Sequence, residues 1–135
     1  MNELRDAIEL WGTCPKYKEY ASKWLWYRLV SAYDNGKLNV YYDGGGNPLG
    51  FITYCFLTKE ETETYKYYGP EAFKREDGDH LWFIDMVSRG TKRDVLNMCR
   101  DIRAEMKVKY PDVKSALSFR RATRVVSWPQ KGSLA

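Results

Sequence analysis

Asp85 stands inside His80-Leu81-Trp82-Phe83-Ile84-Asp85-Met86-Val87-Ser88, an apolar run of strand character that ends at Arg89-Gly90. An isolated buried charge costs several kcal/mol or more, so a carboxylate there is solvated in a cleft, paired with a cation or held protonated. Set among apolar neighbours, such an acid can accept a proton as a general base. The other reading is a buried ion pair with an arginine of the helix that follows, or with Arg120, Arg121 or Arg124; the sequence leaves both open. Side chains alternate along a strand, which puts Asp85 on one face with Leu81, Phe83 and Val87 and turns Trp82, Ile84 and Met86 to the other. Imidazoles titrate near pH ~6.5 and suit base work, and His80 is the only one in the chain. Five residues separate it from Asp85, so the two face opposite ways and lie roughly 16 to 17 Å apart along an extended strand. They do not form a dyad, and His80 reads as a surface residue at the strand's start. Cys14, between Thr13 and Pro15, is a candidate nucleophile, but no histidine lies nearby in sequence to generate its thiolate. It reads better as a core or surface thiol.

The rest of the composition narrows the chemistry further. A single histidine excludes a histidine-rich metal site, and Cys14, Cys55 and Cys99 are odd in number, widely spaced and without a CxxC pair. That pattern argues for free thiols, against a disulfide framework and against zinc. The net charge of +4 conceals an asymmetry: residues 1–85 carry 10 Lys/Arg against 14 Asp/Glu, and residues 86–135 carry 12 against 4, giving −4 and +8. A basic C-terminal half favours an anionic partner, whether nucleic acid, a phosphate-bearing cofactor or an acidic carrier protein; a solvated basic helix face is the plain alternative. At 135 residues the chain fits one domain with a real core. No apolar stretch approaches the roughly 20 residues needed to cross a bilayer. Met1 to Leu10 holds three acids and one arginine and lacks the apolar segment of a signal peptide, so a cytoplasmic location is expected.

The elements that must position Asp85 follow from periodicity. Leu4, Ala7, Ile8 and Leu10 give Asn2 to Leu10 a helical spacing that Gly12 and Pro15 end. Lys16 to Tyr33 continues helically, with Tyr20, Trp24, Tyr27 and Val30 or Ser31 on one face, its aromatics packing the core, and Asn35-Gly36 closes it. Lys37 to Asp43 and Leu49 to Leu57 read as strands of a hairpin turned at Gly44-Gly45-Gly46-Asn47-Pro48. A phosphate loop is disfavoured there, because no lysine with serine or threonine follows the glycines. Thr58-Lys59-Glu60-Glu61 has capping-box spacing for a helix through Tyr65 to Tyr68, and Glu71 to Asp79 reads as a charged loop. After the Asp85 strand, Thr91-Lys92-Arg93-Asp94 caps a long helix ending near Tyr110-Pro111. Val95, Cys99, Ile102 and Met106 form its buried stripe, with Lys92, Arg100, Arg103 and Lys107 exposed. Ser115 to Phe119 and Arg124 to Trp128 close the chain as strands. The expectation is a single α/β (α+β) domain, a mixed sheet with flanking helices.

That element order resembles the GNAT fold, and Trp82-Phe83-Ile84-Asp85 with the preceding Gly78-Asp79 resembles the hemolysin-activating lysine acyltransferases, which modify RTX toxins. The resemblance implies that Asp85 is the catalytic aspartate. Upstream, Trp11-Gly12-Thr13-Cys14-Pro15-Lys16-Tyr17 is similar to the family's tryptophan-to-proline stretch before its catalytic histidine, and here Tyr17 occupies the histidine position. Trp128-Pro129-Gln130-Lys131-Gly132 resembles a short aromatic-to-glycine motif near the family's C-terminus. A tyrosine hydroxyl, which keeps its proton to a pH of about 10, is a poor base at neutral pH; Tyr17 would instead donate a hydrogen bond to a thioester carbonyl.

For the acyl donor, GNAT enzymes that use acetyl-CoA place an Arg/Gln-x-x-Gly-x-Gly/Ala turn at the long helix's start, where backbone amides hold pyrophosphate. Ser88-Arg89-Gly90-Thr91-Lys92 supplies one glycine and two cations, an incomplete match. Arg89, Gly90, Thr91, Lys92 and Arg93 are the candidate donor-binding residues, for acyl-CoA or, as the resemblance implies, for acyl carrier protein. No tightly bound cofactor is expected. Arg89, Lys92, Arg93, Arg100 and Arg103 together make a basic patch suited to an acidic carrier. The resulting expectation is a protein-lysine acyltransferase acting on a protein substrate, with a homodimer compatible. Its rival is an inactive protein on the same fold, a phage-type inhibitor of a host factor or a virion component. Nucleic-acid binding by the basic half is a third reading, one whose affinity would fall steeply with salt.

Overall fold

A computed structural model describes residues 2–13, 29–68, 78, 80–113, 116–120 and 124–127. The elements in chain order are α1 (Glu3–Thr13), α2 (Ser31–Asp34), β1 (Leu38–Tyr42), β2 (Pro48–Leu57), α3 (Lys59–Tyr68), β3 (His80–Ser88), α4 (Lys92–Lys109), β4 (Ala116–Arg120) and β5 (Arg124–Ser127). The strands are ordered β1-β2-β3-β4-β5 in one sheet. β1 runs antiparallel to β2, β3 parallel to β4, and β4 antiparallel to β5. The sheet is therefore mixed and the class is α+β, as expected. The parallel β3–β4 pair needs a crossover, and α4 is that crossover.

Local chemistry sets the element ends. Asn2 Oδ1 accepts the Arg5 N–H at 2.9 Å and starts α1. The helix then runs through Gly12 to Thr13, past the Leu10 end that the glycine suggested. An exposed glycine lowers helix stability by only ~1 kcal/mol, and burial of Trp11 at 4% exposure on this turn offsets that cost. Most of the Lys16 to Tyr33 segment lies outside the described residues. Its end is clear: Lys37 N–H donates to Ala32 O and Gly36 N–H to Tyr33 O, a Schellman closure with Gly36 at φ 70°. Thr58 and Glu61 form the reciprocal capping box of α3, with Thr58 N–H donating to Glu61 Oε1 at 2.8 Å and Glu61 N–H to Thr58 Oγ1 at 3.1 Å. Thr91 and Asp94 repeat it on α4, at 2.7 and 3.3 Å.

Two compact units organise the chain. In the first, Met1–Thr53 with Asp85–Cys99, α1, Leu29 and Ala32 pack on Leu38, Phe51 and Val87. Trp11 stacks on Phe51 at 6.5 Å and 9°. Alternation turns Gly50 away from that layer. A Cβ on Gly50 would lie 2.7 Å from Met98 Cε and nearer still to the Val87 carbonyl oxygen, so the start of α4 covers this second face at glycine distance. In the second unit, Tyr54–Ile84 with Arg100–Ala135, Tyr54 meets Phe56, Phe83 and Tyr110 edge-on at 6.3–6.4 Å. Trp82 is fully buried and donates its indole N–H to Thr62 Oγ1 at 3.2 Å.

The buried stripe of α4 differs from the periodicity reading in two places. Met98 (2% exposed), Ile102 and Met106 are its buried members, whereas Val95 and Cys99 are half-buried. The close approach permitted by Gly50 draws in the neighbouring methionine. Arg103 is half-buried rather than exposed, while Lys92, Arg100 and Lys107 are exposed.

The hairpin turn is held by Asp43, whose Oδ1 accepts the N–H groups of Gly45 and Asn47 at 2.9 Å each. Gly46 supplies the positive φ of 81°. The Asn47 N–H bond, outweighing the opposing effect of burial, holds the Asp43 carboxyl below its ordinary 3.8, with the Gly45 N–H, the Asn47 side chain and the Arg89 charge adding to it. A depressed folded-state value contributes stability that is present above pH 3.8 and lost as pH falls through the lower folded value. The stability advantage of wild type over Asp43→Asn in urea denaturation is therefore expected to shrink as pH drops below 3.8. Gly50→Ala is expected to lose about 1–3 kcal/mol by the same measurement, because the added methyl overpacks the α4 contact. Gly44→Ala, where a Cβ meets nothing within 4 Å, should stay within ~0.5 kcal/mol.

Candidate functional site

On β3, residues 81, 83, 85 and 87 are all buried, at 2, 7, 2 and 3% exposure. The opposite set alternates as expected: Ile84 is half-buried and Met86 is 44% exposed, and Trp82 departs only because it reaches Thr62. Asp85 thus belongs to the layer of Val87 and Phe51, beside α1. A carboxylate solvated in an open cleft is not the arrangement present.

What meets Asp85 from β2 is Thr53, itself 1% exposed. The Asp85 backbone N–H donates to Thr53 Oγ1 at 3.1 Å, and the Thr53 hydroxyl donates to Asp85 Oδ2 at 3.4 Å. One side chain therefore serves both the main chain and the carboxylate of Asp85. The sequence reading missed Thr53, although a signal existed. It is the one aliphatic hydroxyl within Phe51-Ile52-Thr53-Tyr54-Cys55-Phe56-Leu57, all buried, and a buried hydroxyl needs a partner.

A second buried acid was also passed over. Asp6 on α1 is 6% exposed and accepts the Tyr42 hydroxyl at 2.8 Å, with Arg5 Nη2 at 3.8 Å from its other oxygen. Burial first, then the hydrogen bond to Asp6 and that carboxylate's charge, push the Tyr42 hydroxyl from 10.0 up to about 12. This pair ties α1 to β1 on the layer that also holds Asp85.

The candidate donor loop has specific commitments. Arg89 donates its backbone N–H to Leu49 O at 3.0 Å and its Nε–H to Pro48 O at 2.9 Å, and its Nη2 lies 3.6 Å from Glu9 Oε1. It joins α1, the start of β2 and the end of β3 while keeping 40% side-chain exposure. Gly90 N–H donates to Ser88 Oγ at 3.1 Å, and a Cβ on Gly90 would collide with the Asp94 carboxylate. Thr91 gives both its N–H and its hydroxyl proton to Asp94 Oδ2, at 2.7 and 3.0 Å. Lys92 and Arg93 are exposed. The first turn of α4 therefore already carries a carboxylate of its own.

Tyr17 and Cys14 lie outside the described residues, so nothing is placed for them. His80 opens β3 and is half-buried. Cys55 is buried and Cys99 half-buried. Among the described residues no cluster of His, Cys, Asp and Glu is arranged to hold a metal ion, and no helix is long and apolar enough to cross a membrane.

No curated protein matched the chain. The family model described as HlyC, RTX toxin acyltransferase family, matches residues 3–127, from the first turn of α1 to the end of β5. With Trp82-Phe83-Ile84-Asp85 on the buried strand and a match spanning every described element, the chain belongs to the RTX toxin acyltransferase family.

Proposed function

We propose that this protein transfers an acyl group from a thioester donor to a lysine of a protein substrate, on a GNAT-like scaffold, with Asp85 as the general base. The observation that carries the reading is the burial of Asp85, in a family-type Trp-Phe-Ile-Asp element, within a chain of the acyltransferase family. In the reaction, the lysine nitrogen attacks the thioester carbonyl and a C–N bond forms. Asp85 takes the proton that the nitrogen sheds. The C–S bond then breaks, and the departing thiolate recovers a proton to leave as thiol. Tyr17, at the position of the family's histidine, donates a hydrogen bond to the carbonyl oxygen as charge builds there.

An acyl carrier protein is the proposed donor, in preference to acyl-CoA. Helix N-termini bind pyrophosphate through unoccupied N–H groups, and on α4 the Asp94 carboxylate already takes the Thr91 N–H. A second anion there would meet like charge. An acidic carrier instead suits Lys92, Arg93 and Arg100, all exposed, with Arg89 contributing its charge from the Glu9 bridge.

Acyl transfer from acyl carrier protein to a lysine-containing toxin fragment, followed by mass spectrometry, tests the reading. Asp85→Asn should abolish transfer, and retained transfer would remove Asp85 from the mechanism. Acyl-CoA should serve as a much poorer donor than the acyl carrier protein. Replacing Lys92, Arg93 and Arg100 with glutamate should raise the KM for the carrier roughly tenfold or more and steepen with falling salt, as expected for steering by exposed charge.

A further inference from the structure

We propose that Thr53 is a positioning residue for acyl transfer, fixing the Asp85 carboxylate through the same hydroxyl that accepts the Asp85 backbone N–H. This rests on Asp85 acting as the base. A hydroxyl has one proton to give and lone pairs to receive. Both capacities of Thr53 are directed at Asp85, the acceptor side at 3.1 Å from the amide nitrogen and the donor side at 3.4 Å from Oδ2.

This arrangement constrains Asp85 at two points, its main chain and its carboxyl group, by one rigid side chain. Threonine suits the task because its β-branch restricts χ1, and its methyl fills apolar space where Thr53 is 1% exposed. The donor distance is longer than the ~2.5–2.7 Å of a well-formed hydrogen bond to a carboxylate. That length makes the contact an orienting one: it aims the second carboxylate oxygen without holding the negative charge tightly against proton uptake. A residue that only orients the base acts on kcat and leaves substrate binding unaffected.

Thr53→Val keeps the shape and removes the hydroxyl, Thr53→Ala removes hydroxyl and methyl, and Thr53→Ser keeps the hydroxyl alone. Steady-state transfer from acyl carrier protein should show kcat lowered roughly ten- to hundredfold in both hydroxyl-free variants, with KM for carrier and lysine substrate unchanged. Thr53→Ser should recover most of the rate although it loses a buried methyl and melts lower than wild type. Activity would then follow the hydroxyl while stability follows the packing.

Wild-type kcat in Thr53→Val, with Asp85→Asn inactive, would overturn the positioning role and leave the base assignment intact. Losses in all three variants that track their melting temperatures would overturn it too, as would hydroxyl-free variants that do not fold beside a folded Thr53→Ser. Full transfer by Asp85→Asn would instead strike at the base itself, a result separable from either of these.

Discussion

A carboxylate taken into an apolar layer must find its hydrogen bonds inside that layer, and this constraint governs the arrangement around β3. Asp85 lies among residues buried as deeply as itself, with Val87 and Phe51 in the same cluster as Trp11 and Leu10 of α1. Bulk water does not reach it there. The neighbouring strand does, by placing a threonine within a run of aromatic and aliphatic residues. Strand pairing thus fixes the contact: a one-residue slip between β2 and β3 would carry Thr53 to the opposite face, away from the acid.

The same logic distinguishes the cations. Arg89 is adjacent to the end of β3 and its guanidinium reaches a backbone carbonyl and Glu9, so it works as a tie between α1 and the strand ends. Exposed bridges of that kind contribute only ~0–1 kcal/mol each, but a main-chain acceptor for Nε gives this one a defined direction. Lys92 and Arg93, one turn on, have no comparable role in the described fold and present their charge to solvent. Position relative to the strand end, more than residue type, separates the arginine tied into the fold from the cations exposed beyond it.

Much of this was legible in the sequence because it rests on local rules. The Thr58-to-Glu61 and Thr91-to-Asp94 spacings marked the starts of α3 and α4, Asn35-Gly36 marked a closure, and alternation placed Asp85 with Leu81, Phe83 and Val87. What escaped was decided across the chain. Neither Thr53 nor Tyr42 shows its partner in sequence, since Thr53 and Asp85 are 32 residues apart and Tyr42 and Asp6 are 36. Met98 displaced Cys99 from the buried stripe because Gly50 opens a space over β2, a fact about a strand that the helix's own periodicity does not contain. Gly12 failed to stop α1 because the tryptophan before it is buried against Phe51.

The irregularity at Tyr41/Tyr42 has a consequence for colloidal behaviour. β1 stands at one end of the strand order, and its ladder with β2 shifts register at that point. A long flat strand in such a place would offer a row of unpaired amides and carbonyls to any other chain, the route to edge-to-edge aggregation. Here the strand has five residues, its ladder is broken by the register shift, and Lys37 and Asp43 flank it with opposite charges. The register shift beside Tyr42, whose hydroxyl bonds Asp6, also makes β1 a poor template for a foreign strand.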